Sequence, residues 1–145
     1  MGVRRCAGLA KKVAADGEGA SKLVEVCVRN ATDLKSARLL AKSVVSSNLV
    51  KCALYGNDPN WGRLLCAMGN SGAAFDERKV DVWFGSKRIV RRGVAAKADA
   101  GQIRRLMDGK ELLITIDMNA GHARAVAYGC DMTEDYVRIN AHYHT

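Results

Sequence analysis

One proline in 145 residues leaves long stretches of this chain free to form regular structure. Aromatic residues are also scarce, with two tryptophans, four tyrosines and two phenylalanines. They do not interleave with the basic residues as a base-stacking platform requires, so nucleic-acid binding is not expected. The five cysteines are Cys6, Cys27, Cys52, Cys66 and Cys130. They contain no C-x-x-C pair and are odd in number, which argues against a zinc site and against a disulfide framework. Cys27 and Cys52 stand in apolar runs and read as buried thiols, which places the chain in a reducing, cytoplasmic setting. No run is long and apolar enough to span a membrane. The opening MGVRRCAGLAKK has no apolar signal core and carries Cys6 where a myristoylation motif needs Ser or Thr.

Acidic residues are the minority sign, 15 against 23 Lys and Arg, for a net charge of +8. The basic residues are scattered. Their densest cluster is Lys87-Arg88 with Arg91-Arg92, followed by Arg104-Arg105. Such a cluster reads as a solvated basic face, or as a surface that meets an acidic partner or an anionic substrate.

Hydrophobic residues make up 48% of the chain, enough to build a core, and the length fits one domain spanning residues 1–145. Residues 3–15 read as a short helix with apolar Val3, Leu9, Val13 and Ala14. The loop Asp16-Gly17-Glu18-Gly19-Ala20-Ser21-Lys22 follows and leads into a strand over Leu23 to Val28. Thr32 or Asp33 can cap a helix whose apolar positions run Leu34, Ala37, Leu40, Ala41, Val44 and Val45. Leu49 to Tyr55 reads as a second apolar strand. Pro59 falls where the first turn of a helix tolerates it, ahead of Trp61, Leu64, Leu65 and Met68 on one helical face. Val80 to Phe84 and Arg88 to Val90 flank Gly85-Ser86 as a hairpin, and Ala100 to Met107 forms a helix stopped by Gly109. Leu112 to Met118 and His122 to Tyr128 flank Asn119-Ala120-Gly121, which predicts a second hairpin. A last short helix begins near Tyr136, capped by Asp131 or Thr133. The expected fold class is α+β, with a mixed sheet and helices packed on it.

Glu18, a carboxylate between two glycines, can approach a ligand closely, pair an ammonium or move a proton; the alternative is a solvated turn carboxylate. Asp16 reads as a turn or capping residue. Lys22 could be reactive if desolvated, but beside Glu25 it reads more simply as an ion pair. His142 and His144 form an H-x-H pair with His122 upstream, but no third metal ligand follows by spacing, so no metal is expected. Cys130 precedes Asp131, whose charge opposes a thiolate, and Cys66 has apolar neighbours, so neither is a good nucleophile.

Three segments in order, DGEGASK at 16–22, Gly56-Asn57-Asp58-Pro59-Asn60-Trp61-Gly62-Arg63, and the terminal CDMTEDYVRINAHYHT, carry a resemblance to a known family. From about Leu9 to the last residue the chain resembles the C-terminal half of the ornithine acetyltransferases (glutamate N-acetyltransferases) of arginine biosynthesis. The resemblance implies a multifunctional transferase made as one precursor that cuts itself at an Ala–Thr bond. The new N-terminal threonine then carries acetyl from N-acetylornithine to glutamate, with its own α-amine as base. It implies substrate contacts by Glu18, by Asn140 of Tyr136-Val137-Arg138-Ile139-Asn140, and by the last residue, Thr145. No cofactor is implied beyond acetyl-CoA, an acetyl donor for bifunctional members. The implied partner is the N-terminal chain of the same enzyme, in a hetero-oligomer. Ala31-Thr32 lies after DGEGASK, whereas the family's cleavage site precedes it, so Thr32 is rejected as the nucleophile. The catalytic threonine is expected on a segment outside this sequence, and the isolated chain is expected to be inactive. The alternative is a non-catalytic relic or interaction module that keeps the fold.

Overall fold

The computed structural model describes residues 2–143, and the side chains from residue 7 onward. Its elements are α1 (Gly2–Ala15), β1 (Leu23–Ala31), α2 (Leu34–Ser46), α3 (Asn48–Tyr55), α4 (Trp61–Gly69), β2 (Asp81–Phe84), β3 (Lys87–Arg91), β4 (Val94–Ala95), α5 (Ala100–Met107), β5 (Glu111–Asp117), β6 (Ala123–Cys130) and α6 (Glu134–Ala141). The strands form one six-stranded mixed sheet in the order β4-β3-β2-β5-β1-β6. The expected α+β architecture, a mixed sheet with helices packed on it, is what the chain adopts.

The core lies on one face of that sheet. Val24, Val26 and Val28 of β1 align with Leu112, Ile114 and Ile116 of β5, and Val82 and Phe84 of β2 extend the layer. Against it pack Ala37, Leu40, Ala41 and Val44 of α2, Val50 and Leu54 of α3, Leu64 and Met68 of α4, and Ile103 and Met107 of α5. On β6 the same face carries only Ala123, Ala125, Ala127 and Gly129. A Cβ at Gly129 would lie 3.0 Å from Val45 Cβ and 3.2 Å from the Val45 carbonyl oxygen. Small residues on β6 therefore let α2 lie close to the sheet.

Asp33 starts α2 by accepting a 2.7 Å hydrogen bond from Ser36 N, and Asn60 starts α4 by accepting one of 3.1 Å from Arg63 N. Two local expectations are corrected. Leu49 to Tyr55 is helical, not a strand. Ser47 caps it, and only Val50, Ala53 and Leu54 are buried, at the i, i+3, i+4 spacing of a helix face. Burying an aliphatic side chain is worth roughly 1.5–3 kcal/mol, against propensity differences below about 0.7 kcal/mol per residue, so packing decides this segment. Pro59 precedes the cap residue Asn60 instead of occupying the first helical turn. The β2–β3 hairpin forms as expected, with Gly85 at φ +53° in its turn. Leu9 and Val13, apolar residues of α1, are 62% and 74% exposed.

The larger correction concerns β5 and β6. They do not pair as a hairpin, because β1 lies between them, parallel to β5 and antiparallel to β6. The Asn119-Ala120-Gly121 turn instead passes over the end of β1. Met118 N donates to Arg29 O at 2.9 Å, and Ala120 N and Gly121 N both donate to Asn30 O, at 2.9 and 2.8 Å. Asn30 adopts φ +52° there, and its side-chain amide donates to both Asp117 carboxylate oxygens at 3.0 Å.

This crossing has no spare room at Gly121. An added Cβ would overlap the Ala31 carbonyl oxygen and lie 3.0 Å from both Ala31 C and Thr32 Cα, all backbone. Gly121→Ala is expected to cost about 1–3 kcal/mol in urea unfolding. An unchanged midpoint would show that the turn is not seated on β1.

Candidate functional site

The DGEGASK loop joins α1 to β1, and its glycines are spaced for the protein's own C-terminal segment. A Cβ at Gly17 would lie 2.8 Å from Cys130 Sγ. Gly19 has φ +66°, and a Cβ there would lie 2.7 Å from Tyr136 N. The end of β6 and the first turn of α6 thus press on either side of Glu18, which is itself exposed.

Buried polar groups hold the two segments together. Asp131, 2% exposed, accepts hydrogen bonds from Ser21 N and Lys22 N, each at 2.9 Å, and from Ser21 Oγ. Two residues on, Thr133 Oγ1 donates to Gly19 O at 2.5 Å and accepts from Tyr136 N at 3.1 Å, which caps α6. The consequence appears one to two turns along α6. Asn140 Nδ2 donates to Glu18 Oε2 at 3.3 Å and to Tyr136 O at 2.8 Å. Glu18 and Asn140, 122 residues apart in sequence, stand side by side.

The third segment enters through Lys22. Its ammonium does not pair with Glu25. It donates to Leu54 O at 2.8 Å and to Asn57 Oδ1, in the turn after α3. Asn57 takes φ +52° and donates from Nδ2 to Asp108 Oδ1 at 2.5 Å. Burial pushes the Lys22 pKa below its ordinary value, and the negative charges of Asp131 and Asp108 partly oppose that shift. All three segments singled out in the sequence therefore meet at the start of β1.

Chemically, Glu18 offers an exposed carboxylate that can receive an ammonium, and Asn140 keeps its Oδ1 as an acceptor for an amide N–H. Thr145, the third site residue read from the sequence, lies outside the described residues, as does His144. Thr32 follows Ala31 at the far end of β1, roughly 30 Å from the DGEGASK loop at 3.3 Å per residue, and its hydroxyl donates to Asp33. Cys52 is exposed, contrary to its reading as a buried thiol, whereas Cys27 is buried as expected. Among the described residues no three His, Cys, Asp or Glu side chains gather as a metal-binding set, and no helix is long and apolar enough to cross a membrane.

Sequence reasoning recognised Asp131 and Thr133 as alternative helix caps, and Asp131 as a charge beside Cys130, but missed their hold on the loop. It also missed Asn57 and Asp108 as partners in the Lys22 network. The one local signal was Asn57 in a Gly-Asn-Asp turn, where asparagine favours the left-handed conformation.

Comparison with known proteins gives consistent results. A model of the ArgJ family matches residues 3–145. The arginine biosynthesis bifunctional protein ArgJ of Symbiobacterium thermophilum is 49% identical over 137 residues, covering 94% of this chain and 34% of the relative. Its namesake from Thermotoga neapolitana is 47% identical over 141 residues, covering 94% of this chain and 36% of the relative. The crystal structure of the Bacillus halodurans protein of that name superposes with a TM-score of 0.92 at 39% identity, covering 97% of this chain and 66% of that one. The chain thus spans about a third of the length of these curated relatives.

Two outcomes test the clasp. Asp131→Ala leaves the Ser21 and Lys22 N–H groups without their acceptor and is expected to cost about 2–4 kcal/mol in urea unfolding; a loss below half a kcal/mol, roughly the scale of a neutral surface change, would rule the clasp out. Lys22 titrates below its unfolded value of 10.5. At lower pH both states hold the proton, and the native state bears the cost of a buried charge. As pH rises through the folded pKa the native state loses its proton first, so that cost is lifted until the unfolded chain titrates. The stability of the wild type relative to Lys22→Met is therefore expected to rise from neutral pH toward 10.5, read as the difference in unfolding midpoints. A flat difference would mean that Lys22 is not desolvated.

Proposed function

The chain belongs to the ArgJ family, and on that premise we propose that it is the substrate-binding portion of a cytoplasmic N-acetyltransferase of arginine biosynthesis. That enzyme moves acetyl from N-acetylornithine to glutamate. One observation carries the reading: Asn140 Nδ2 lies 3.3 Å from Glu18 Oε2, on two segments bound together by Asp131 and Thr133. A carboxylate beside an amide is complementary to N-acetylornithine, whose side-chain ammonium meets Glu18 and whose N-acetyl amide meets Asn140.

The nucleophile in this reading is the N-terminal threonine of a processed partner segment. The geometry of the internal threonines supports that assignment. Thr133 is committed to Gly19 and Tyr136, Thr115 lies in the middle of β5, and Thr32 lies at the opposite end of β1. An α-amine titrating near 7.7–8.0 can serve the new threonine as general base. The partner segment supplies oxyanion donors and completes a hetero-oligomer. Glu18, Asn140 and Thr145 bind and orient the substrate, and acetyl-CoA serves as an alternative acetyl donor in bifunctional members.

The test is co-expression with the segment that precedes the matched region in the relatives, followed by an acetyl-transfer assay from N-acetylornithine to glutamate. Activity is expected only with both pieces. Within the active complex, Glu18→Gln and Asn140→Ala are each expected to lower kcat/KM about ten- to a hundredfold, with unfolding midpoints unchanged because both side chains are exposed. A stable complex without activity would favour the non-catalytic module, and wild-type kinetics in both variants would remove these residues from the site. Thr145→Ala in the same complex is expected to raise KM; an unchanged value would release Thr145 from that role.

A further inference from the structure

The chain's positive charge is concentrated away from the Glu18 site. Residues 86–107 carry seven basic residues and one acidic, a net of +6 against +8 for the whole chain. This segment forms the β3–β4 hairpin and α5, which enclose an open cleft of about 750 Å³. Lys87, Arg88, Arg91 and Lys97 line it, together with Gln102 and a single carboxylate, Asp99.

That carboxylate is already engaged. Asp99 Oδ1 accepts from Gly101 N at 2.8 Å and from Gln102 N at 3.1 Å, capping α5. The ion pairs among the described residues are Lys11–Glu111, Arg29–Asp117, Arg78–Asp76 and Arg138–Asp135. None uses a cation of this cleft. Four positive side chains thus face one concavity without an anionic partner among the described residues. Like charges lining one cleft repel one another, and a bound anion offsets that repulsion. Arg88 is also steadied by the Trp83 ring, 5.8 Å from its guanidinium carbon.

We propose that this cleft binds a small molecule carrying two or more phosphoryl groups. Its volume falls within the usual range for small-ligand sites. Two arginines and two lysines combine forked and point-like donors, which suits several phosphate oxygens at once. The concave shape and the lack of a free stacking platform disfavour nucleic acid. Trp83 is the aromatic ring beside the cleft, and it is already attended by Arg29, at 5.0 Å, as well as by Arg88.

The test is calorimetric titration of the chain with inorganic pyrophosphate, with orthophosphate as the single-phosphate control. Pyrophosphate is expected to bind one to one and more tightly than orthophosphate. Arg88→Glu with Arg91→Glu is expected to weaken it by roughly tenfold for each arginine removed. A charge-matched control on α2, Arg38→Glu with Lys42→Glu, is expected to leave it unchanged. All four positions are exposed, so far-UV circular dichroism should report an intact fold. Absence of binding, or equal weakening by both double variants, would overturn a localised site. An oligouridylate that binds more tightly than pyrophosphate at the same salt concentration would assign the face to nucleic acid and overturn the proposal as well. None of these outcomes depends on acetyl transfer or on Glu18.

Discussion

The carboxylate of Asp131 is the interaction on which the candidate site depends. A buried charge is tolerated when its lone pairs are met by well-placed donors, and here two backbone N–H groups and a hydroxyl converge on it. The same contacts fix the chain just before β1 enters the sheet. Thr133 adds a second tie two residues later, so loop and α6 share a register. The approach of Asn140 to Glu18 is the geometric consequence of these two ties.

Lys22 extends this arrangement in the other direction. Its backbone is held by Asp131 and its ammonium by Leu54 and Asn57, so one residue links the C-terminal segment to the turn after α3. A desolvated ammonium is costly, and the nearby charges of Asp131 and Asp108 offset part of that cost. The glycines beside Glu18 belong to the same economy of space. They admit Cys130 and the α6 backbone on either side, and the room they leave is filled by protein.

The sheet carries these parts at different places. β1 lies between β5 and β6, so the loop that feeds it is anchored to a strand paired on both sides. The basic cleft sits at the opposite edge, on β3 and β4. In the sheet, β2 and β5 lie between β3 and β1.

Much of this was legible in the sequence, because it is local or periodic. The 3.6-residue spacing of Ala37, Leu40, Ala41 and Val44 marked α2, the Gly85-Ser86 turn marked the first hairpin, and the three ordered motifs marked the family and the residues Glu18 and Asn140. What the sequence could not express was pairing at long range. Leu49 to Tyr55 is apolar enough for either periodicity, and only the neighbours of Val50 and Leu54 select the helix. The Asn119-Ala120-Gly121 turn has hairpin chemistry, yet β1, nearly ninety residues earlier, occupies the place beside β5. Lys22 has Glu25 close by in sequence, and the fold offers it Leu54 and Asn57 instead. Short-range spacing thus marked most of the elements, and the family resemblance carried by three motifs pointed to the candidate residues. Which groups touch was decided by the tertiary structure, because burial rewards contacts between segments that sequence distance does not order.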